Sequence, residues 1–558
     1  MLINWMVLIG LLLTILYLFK SHYKKKQKKN NIDTLTSNFG KQKTKNHYNF
    51  DKISQFYQKT DLKRNTFQVL SDQTVRDLNF ESLFKFLDRT SSKIGQQFLY
   101  YKLRVISNKE SASDINKLSN LFLNDEQLRL NSQLCLLDLN SFNSYSLETI
   151  IHDEIESQPP FRKYLIPLTI LSFVVIVLGF FNSFFFFFLL PIFAINIVLH
   201  FKNKIQVSYY LEAINQLKIA VNIGDKLALE EKIKDFFLDL SFLKKLKKLN
   251  FKTHFISLEK QLTNEFAILF WYIIEIIKIQ FNFEAIIFYS FIDSITKERK
   301  AINDLFCFIG EVDCAISVAS VKSDDLKTSE PKFNEDNKIV IGKMIHPLVK
   351  NCIPNDISLK DKSMLLTGSN MSGKTTFIRA VAVNGLVAQT LGFAYATSYN
   401  APFFKIHTSI DISDDLLNDT SYYLKEVLLI KKFIEVSNQK TPNLFILDEI
   451  FKGTNTLERI AGGKAILSFL NNYNNFIFVS THDIELAILL EKEAYELYHF
   501  TEKIITNKLI FDHKLKRGKL RTKNAIKILE IYGYPKIIIE QARQVEQNNL
   551  NFLKNEQL

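Results

Sequence analysis

The chain has 558 residues, a net charge of +13 at pH 7 and 47% hydrophobic residues, 49 of them Phe. That length suits three or four domains, and the basic balance suits a polyanion, either nucleic acid or the anionic inner leaflet of a membrane. The scattered cysteines Cys135, Cys307, Cys314 and Cys352 form no CxxC pair and no Cys/His cluster with metal spacing; this supports neither a disulfide framework nor a zinc site and reads as reduced cytosolic thiols.

In chain order, the run Leu2–Phe19 is apolar and about long enough to cross a bilayer as a helix. No Lys or Arg precedes Lys20, whereas Lys20, Lys24, Lys25, Lys26, Lys28 and Lys29 follow. A secretory signal carries its charge on the other side, so residues 1–20 are expected to be an uncleaved anchor with all that follows in the cytosol. Residues 21–60 are Lys/Asn/Gln-rich and are expected to be a flexible basic linker. Residues 61–160 turn helical, with Leu78, Phe80, Leu83, Phe84, Phe86 and Leu87 at mixed three- and four-residue steps.

Residues 161–204 hold two apolar runs within Tyr164–Phe201, split by Asn182-Ser183 and flanked by Arg162, Lys163, Lys202 and Lys204. This pattern predicts a helical hairpin that crosses the bilayer twice with both ends cytosolic. Residues 205–335 return to helical texture. There Phe266–Ile279 is apolar but contains Glu275 and Lys278, which suits a largely buried helix of a soluble domain with the two charges paired on one face. The helix expected at Leu243–Lys252 is basic, and a solvated face is its plain reading, with phosphate or leaflet contact the sharper one. The polar stretch Lys322–Lys338 marks a boundary.

Residues 336–545 alternate short β-type runs with helical ones, and 546–558 form a tail. Ser363–Leu366, Leu444–Leu447 and Phe476–Ser480 read as buried parallel strands. After the first comes Gly368-x-x-x-x-Gly373-Lys374-Thr375, set between a strand and a helix as a phosphate-binding loop requires. Its residues Gly368, Ser369, Asn370, Met371, Ser372, Gly373, Lys374, Thr375 and Thr376 are expected to bind ATP through backbone N–H groups and the helix N-terminus. Lys374 is expected to reach the β- and γ-phosphates and Thr375 to ligate Mg²⁺. The second strand ends in Asp448-Glu449, where Asp448 can hold Mg²⁺ and Glu449 can polarise the attacking water. The third ends in Thr481-His482, where His482 can sense the γ-phosphate.

These segments together resemble the MutS family of DNA mismatch-repair ATPases. TGSNMSGKTT resembles its phosphate loop with the Asn-Met pair, LDEIFKGTNTLERIAGG its Asp-Glu strand and following loop, and STHDIEL its Thr-His segment. Ser413–Leu416, Ser421 and Glu426 resemble its trans-acting loop, and His346-Pro347 its adenine-side approach. Phe511–Gly518 and Ala525–Pro535 resemble the closing helical segment that packs across a dimer. Leu83–Arg104 and Gly310–Ser320 resemble the two ends of its helical lever domain.

The hydropathy pattern and the resemblance together predict a multidomain protein: an N-terminal transmembrane helix, an α-helical lever that departs from the family in being interrupted by a transmembrane hairpin, and a C-terminal α/β P-loop (ABC-type) ATPase domain. The resemblance implies a homodimer sandwiching ATP and Mg²⁺, with Ser421 reaching the partner's γ-phosphate and Gly453–Thr456 lining the interface. Asp419 and Thr420 depart from a stretch that is usually Gly-containing. Only an anchor and linker precede the lever, so a mismatch-reading domain is expected to be missing. DNA and the lipid bilayer are the expected partners, and the bacterial inner membrane the expected location, with the ATPase domain in the cytoplasm. The alternatives are a transporter-type ATPase coupled to the hairpin and a nucleotide-gated dimeric tether.

Overall fold

The structure is a computed structural model that describes residues 2–43, 47–64, 66–153, 159–256, 274–369, 371–411, 422–505, 508–520 and 525–555. The chain divides into two compact units. One comprises 1–65, 85–104 and 114–325; the other comprises 66–84, 105–113 and 326–558.

The first unit is helical. The helices Lys93–Arg104 and Arg299–Lys322 lie at its centre, almost entirely buried. They approach so closely that a Cβ on Gly95 would stand 2.1 Å from Asp313 Oδ2, which leaves glycine as the fitting residue. The buried Asp313 accepts from the N–H groups of Ser91 and Ser92, both at 2.7 Å. It thereby satisfies donors at the start of the helix Lys93–Arg104 from another helix.

The expected linker is largely helical, over Leu2–Asn38 and Phe50–Lys59. In the second of these, Phe50, Ile53 and Phe56 fall on one face, and Ile53 and Phe56 are fully buried. Asn49 caps it by accepting from the Lys52 N–H at 3.0 Å. Lys43 reaches the buried Asp88 at 2.9 Å. A Lys-rich composition concealed this short amphipathic helix and its buried ion pair.

Two helical segments, Arg162–Phe181 and Ser183–Asn203, are long and apolar enough to cross a membrane. Asn182 ends the first and accepts from the Phe184 N–H at 3.0 Å, which shapes the turn into the second. Their side chains largely face outward; Phe180 and Phe181 are 82% and 86% exposed. The second does not stop at residue 204, because the helix runs unbroken from Leu189 to Ala228. Of the stretch Phe266–Ile279, residues 274–279 are described and helical. Glu275 and Lys278 pair at 3.1 Å, as the spacing predicts. The described part of this segment packs beside the apolar hairpin. Asn196 donates to Gln280 O at 2.8 Å, Thr169 to Phe281 O at 2.7 Å, and His200 faces Glu275 at 3.4 Å. Ile276 and Ile277 stay exposed.

The second unit carries a six-stranded sheet among the described residues. Its order is Lys516–Arg517, Tyr495–His499, Ser363–Thr367, Asn475–Thr481, Asn443–Asp448 and Lys405–Ser409; all neighbours run parallel except the first pair. The three predicted strands are there and almost wholly buried. A four-stranded sheet of Pro331–Phe333, Ser398–Ala401, Lys338–Met344 and Asn355–Lys360 belongs to the same unit.

This unit also takes in 66–84 and 105–113, which the sequence pattern had assigned to the helical lever. The reason is polar. Gln68 exchanges bonds of 2.7 and 2.8 Å with the backbone of Ile406. The buried Asp77 accepts from Thr408 Oγ1 at 2.6 Å and from the N–H groups of Ile410 and Asp411 at 3.1 and 2.8 Å. These contacts cover a strand edge that would otherwise stand open. The segment Phe511–Gly518 is extended rather than helical and joins its own sheet. The last helix runs from Lys536 to Asn555, through the expected start of the tail.

Candidate functional site

In an open α/β sheet, ligands sit outside the carboxyl ends of parallel strands. The register brings three such ends level: Thr481 pairs with Thr367, and Ser480 with both Leu366 and Asp448. The loop 368–373 leaves the first strand and enters the helix Lys374–Leu391. Gly368 has φ +153°, and a Cβ there would meet Ser372 Oγ at 2.8 Å. Gly373 caps the helix with φ +106°. Lys374 turns back into the loop and donates to Gly368 O at 2.7 Å and Ser369 O at 3.0 Å. Burial lowers its ammonium to about 8, against the pull of Glu449 and Asp448.

Thr375 Oγ1 donates to Asp448 Oδ2 at 2.8 Å, and the Ser480 hydroxyl donates to Oδ1. Glu449 bonds His482 through its Nε2 and pairs with Lys452 at 3.3 Å. The hydrogen bond from His482 is the largest influence holding Glu449 down to about 2; burial opposes it. Lys374 Nζ lies 3.5 Å from His482 Nε2. Beyond His482, Asp483 is held by a two-pronged contact from Arg459, both bonds 2.8 Å. Lys374, Thr375, Asp448, Glu449 and His482 therefore converge, as the motifs predict.

A cleft of about 270 Å³ opens beside the loop, lined by His346, Cys352, Met371, Gly373, Thr376 and His513 among others. His346 thus joins the loop residues, while Ser369 faces the other way and donates to Glu502 Oε2 at 2.8 Å. Asn370 and Ser421 lie outside the described residues, as do Ser413–Leu416, Asp419 and Thr420. Two residues beyond the predicted set matter. His513 Nδ1 donates to Ser372 O at 2.9 Å, bracing the loop from within its own chain. Asn384 ties the loop helix to the segments behind the cleft residues Met344 and His346, through Ile345 O at 3.0 Å and Tyr395 N at 2.7 Å. His513 sits in the segment Phe511–Gly518, but only the fold shows which way that segment turns.

A glycine-bent loop at a strand end, a lysine inside it, and a Thr–Asp contact to the next strand but one define a nucleotide-binding α/β domain of the phosphate-loop class. MutS domain V matches residues 364–550. A DNA mismatch repair protein MutS from Thermus thermophilus is 30% identical over 251 residues, covering 44% of this chain and 30% of that protein. Proteins of the same description from Clostridium botulinum and Staphylococcus carnosus are 28% and 30% identical over 282 and 249 residues. The chain thus spans less than a third of the length of these curated relatives. The similarity to the MutS family therefore lies chiefly in this domain.

His346 is 4% exposed, and burial depresses its imidazole to about 4, with Arg379 adding to the effect. Its Nδ1 accepts from the Leu348 N–H at 3.3 Å, which requires the neutral ring. The folded value lies below the unfolded one, so this contribution to stability is full above about pH 6.5 and is lost as pH falls towards 4, at most about 3 kcal/mol. Thermal melts between pH 7 and 4 should fall more steeply for the parent than for His346→Asn, which keeps an acceptor without a titrating ring.

Proposed function

We propose that this chain is a membrane-anchored, Mg²⁺-dependent ATPase whose ATP cycle closes a homodimer on DNA. The observation that carries the reading is the contact of Thr375 with Asp448, beside the Glu449–His482 pair and Lys374. Hydroxyl and carboxylate oxygens are the donors a hard cation prefers, so Thr375 and Asp448 fit Mg²⁺. When bound, the ion would offset negative charge on the β- and γ-phosphates. Lys374 would exchange its two carbonyl partners for phosphate oxygens, and the loop N–H groups would hold the same anion. The cleft lined by His346 and His513 would take the base. Glu449, ionised and oriented by His482, would accept a proton from the attacking water.

In the full-length protein in detergent, Lys374→Ala should abolish ATP hydrolysis. Glu449→Gln should lower turnover by about 10²–10⁴-fold while ATP binding persists. Unchanged turnover in Lys374→Ala would refute the assignment.

Membrane anchoring rests on the two outward-facing apolar helices and their basic flanks Arg162, Lys163 and Lys202. If it is right, alkaline carbonate leaves the protein in the membrane pellet of bacterial cells, and detergent releases it. Release by carbonate alone would count against it.

DNA is favoured by the names of the relatives and by the net charge of +13. Binding to duplex, junction or mismatched DNA should weaken linearly in log–log fashion with salt, by about 0.9 per phosphate neutralised. No binding to any of these at low salt, with and without ATP, would leave an ATPase without that partner.

A further inference from the structure

Two residues of the turn after the Asp-Glu strand adopt left-handed backbone conformations: Glu449 at φ +57° and Phe451 at φ +61°. Neither is glycine, and such conformations persist only where the surroundings over-determine them. The Glu449 N–H is fixed by Ser480 O at 2.9 Å. Phe451 is fixed from the helix Tyr422–Ser437. Glu426 Oε1 accepts its N–H at 2.6 Å, and Tyr423, one turn earlier, packs its ring 5.7 Å from that of Phe451. Glu426 is only 2% exposed. Burial pushes its carboxyl up, and the N–H of Phe451 works against that. A carboxylate is a costly thing to bury. Here it is met by main-chain N–H groups two and three residues past Glu449, those of Phe451 and Lys452, with the Lys452 charge beside them.

We propose that Glu426 is a positioning residue for Glu449: it clamps the Phe451 N–H and so holds the left-handed turn that aims the Glu449 carboxylate at His482. This rests on the reading of Glu449 as the group that polarises water. The neighbouring Lys452, which pairs with Glu449 at 3.3 Å, is carried by the same turn. Glu426 ends the segment that resembles the trans-acting loop, but it lies on the helix Tyr422–Ser437 with its carboxylate turned to Phe451 of its own chain and outside the cleft, so its loss should spare nucleotide binding. Its effect falls on the chemical step, where small displacements of a reacting group cost on the order of 100-fold.

The test is steady-state ATP turnover by the full-length protein in detergent, with fluorescent-ATP binding as the check that each variant is folded. Glu426→Ala should lower kcat by on the order of 100-fold with KM and nucleotide affinity unchanged. Glu426→Gln keeps an acceptor oxygen for the Phe451 N–H and should recover most of the rate. A wild-type kcat in Glu426→Ala, a Gln variant as slow as the Ala variant, or a loss of nucleotide affinity in step with kcat would each overturn the proposal. Failure of the parent reading is separate: it appears as Glu449→Gln turning over at the wild-type rate.

Discussion

The site depends on a register. Thr375 can reach Asp448 only because the two strands that present them are separated by a single strand, Asn475–Thr481, whose residues pair in parallel with both neighbours. That central strand contributes Ser480 to Asp448 and places His482 between Lys374 and Glu449. A one-residue slip would turn every side chain of a strand to the other face. It would separate the hydroxyl from the carboxylate and remove His482 from the group. Burial guards against this, since each of the three strands is apolar on both faces and has no exposed side to offer.

The same burial sets the electrostatics. Lys374 is held inside the loop by two carbonyl oxygens, a weaker counterpart than an anion for an ammonium drawn from water. Its lowered proton affinity expresses that cost. Glu449 is the reverse: a half-shielded carboxylate with two basic neighbours, held firmly ionised. A cationic group short of negative charge and an ionised carboxylate already oriented by a histidine suit an anionic substrate and an activated water. The geometry thus supplies its chemical bias before any ligand arrives.

Much of this was legible in the sequence because glycine spacing and carboxylates after apolar runs have few structural uses other than this one. Gly368, Gly373, Lys374, Asp448 and Glu449 could be read off directly, as could the three buried strands, though not their order in the sheet. What escaped reading was long-range and polar. Nothing in the local pattern of 66–84 says that Asp77 will cap the end of a strand more than three hundred residues away. The helix Phe50–Lys59 was concealed by its lysines, although two of its residues are fully buried. His513 lies inside a segment expected to pack across a dimer, and its side chain bonds the loop of its own chain. Periodicity reports which face is apolar, not which distant donor a buried carboxylate will find.

The helix Leu189–Ala228 makes the last point. Its 40 residues extend for about 60 Å, roughly twice the hydrocarbon thickness of a bilayer. Its first part belongs to the outward-facing apolar pair, whereas Ala213, Ile214, Leu217, Ala220, Val221 and Ile223 further along are buried in the helical core. Among the described residues no glycine hinge or proline kink interrupts the passage from one environment to the other, and Gly224 near its end is filled against Leu305. An unbroken helix transmits tilt and rotation, since a sharp kink requires a break in its hydrogen-bond ladder. The apolar hairpin is therefore not an independent anchor tied on by a tether. It is one end of a strut whose other end is part of the helical core, so any force on the hairpin is felt there as a change in packing.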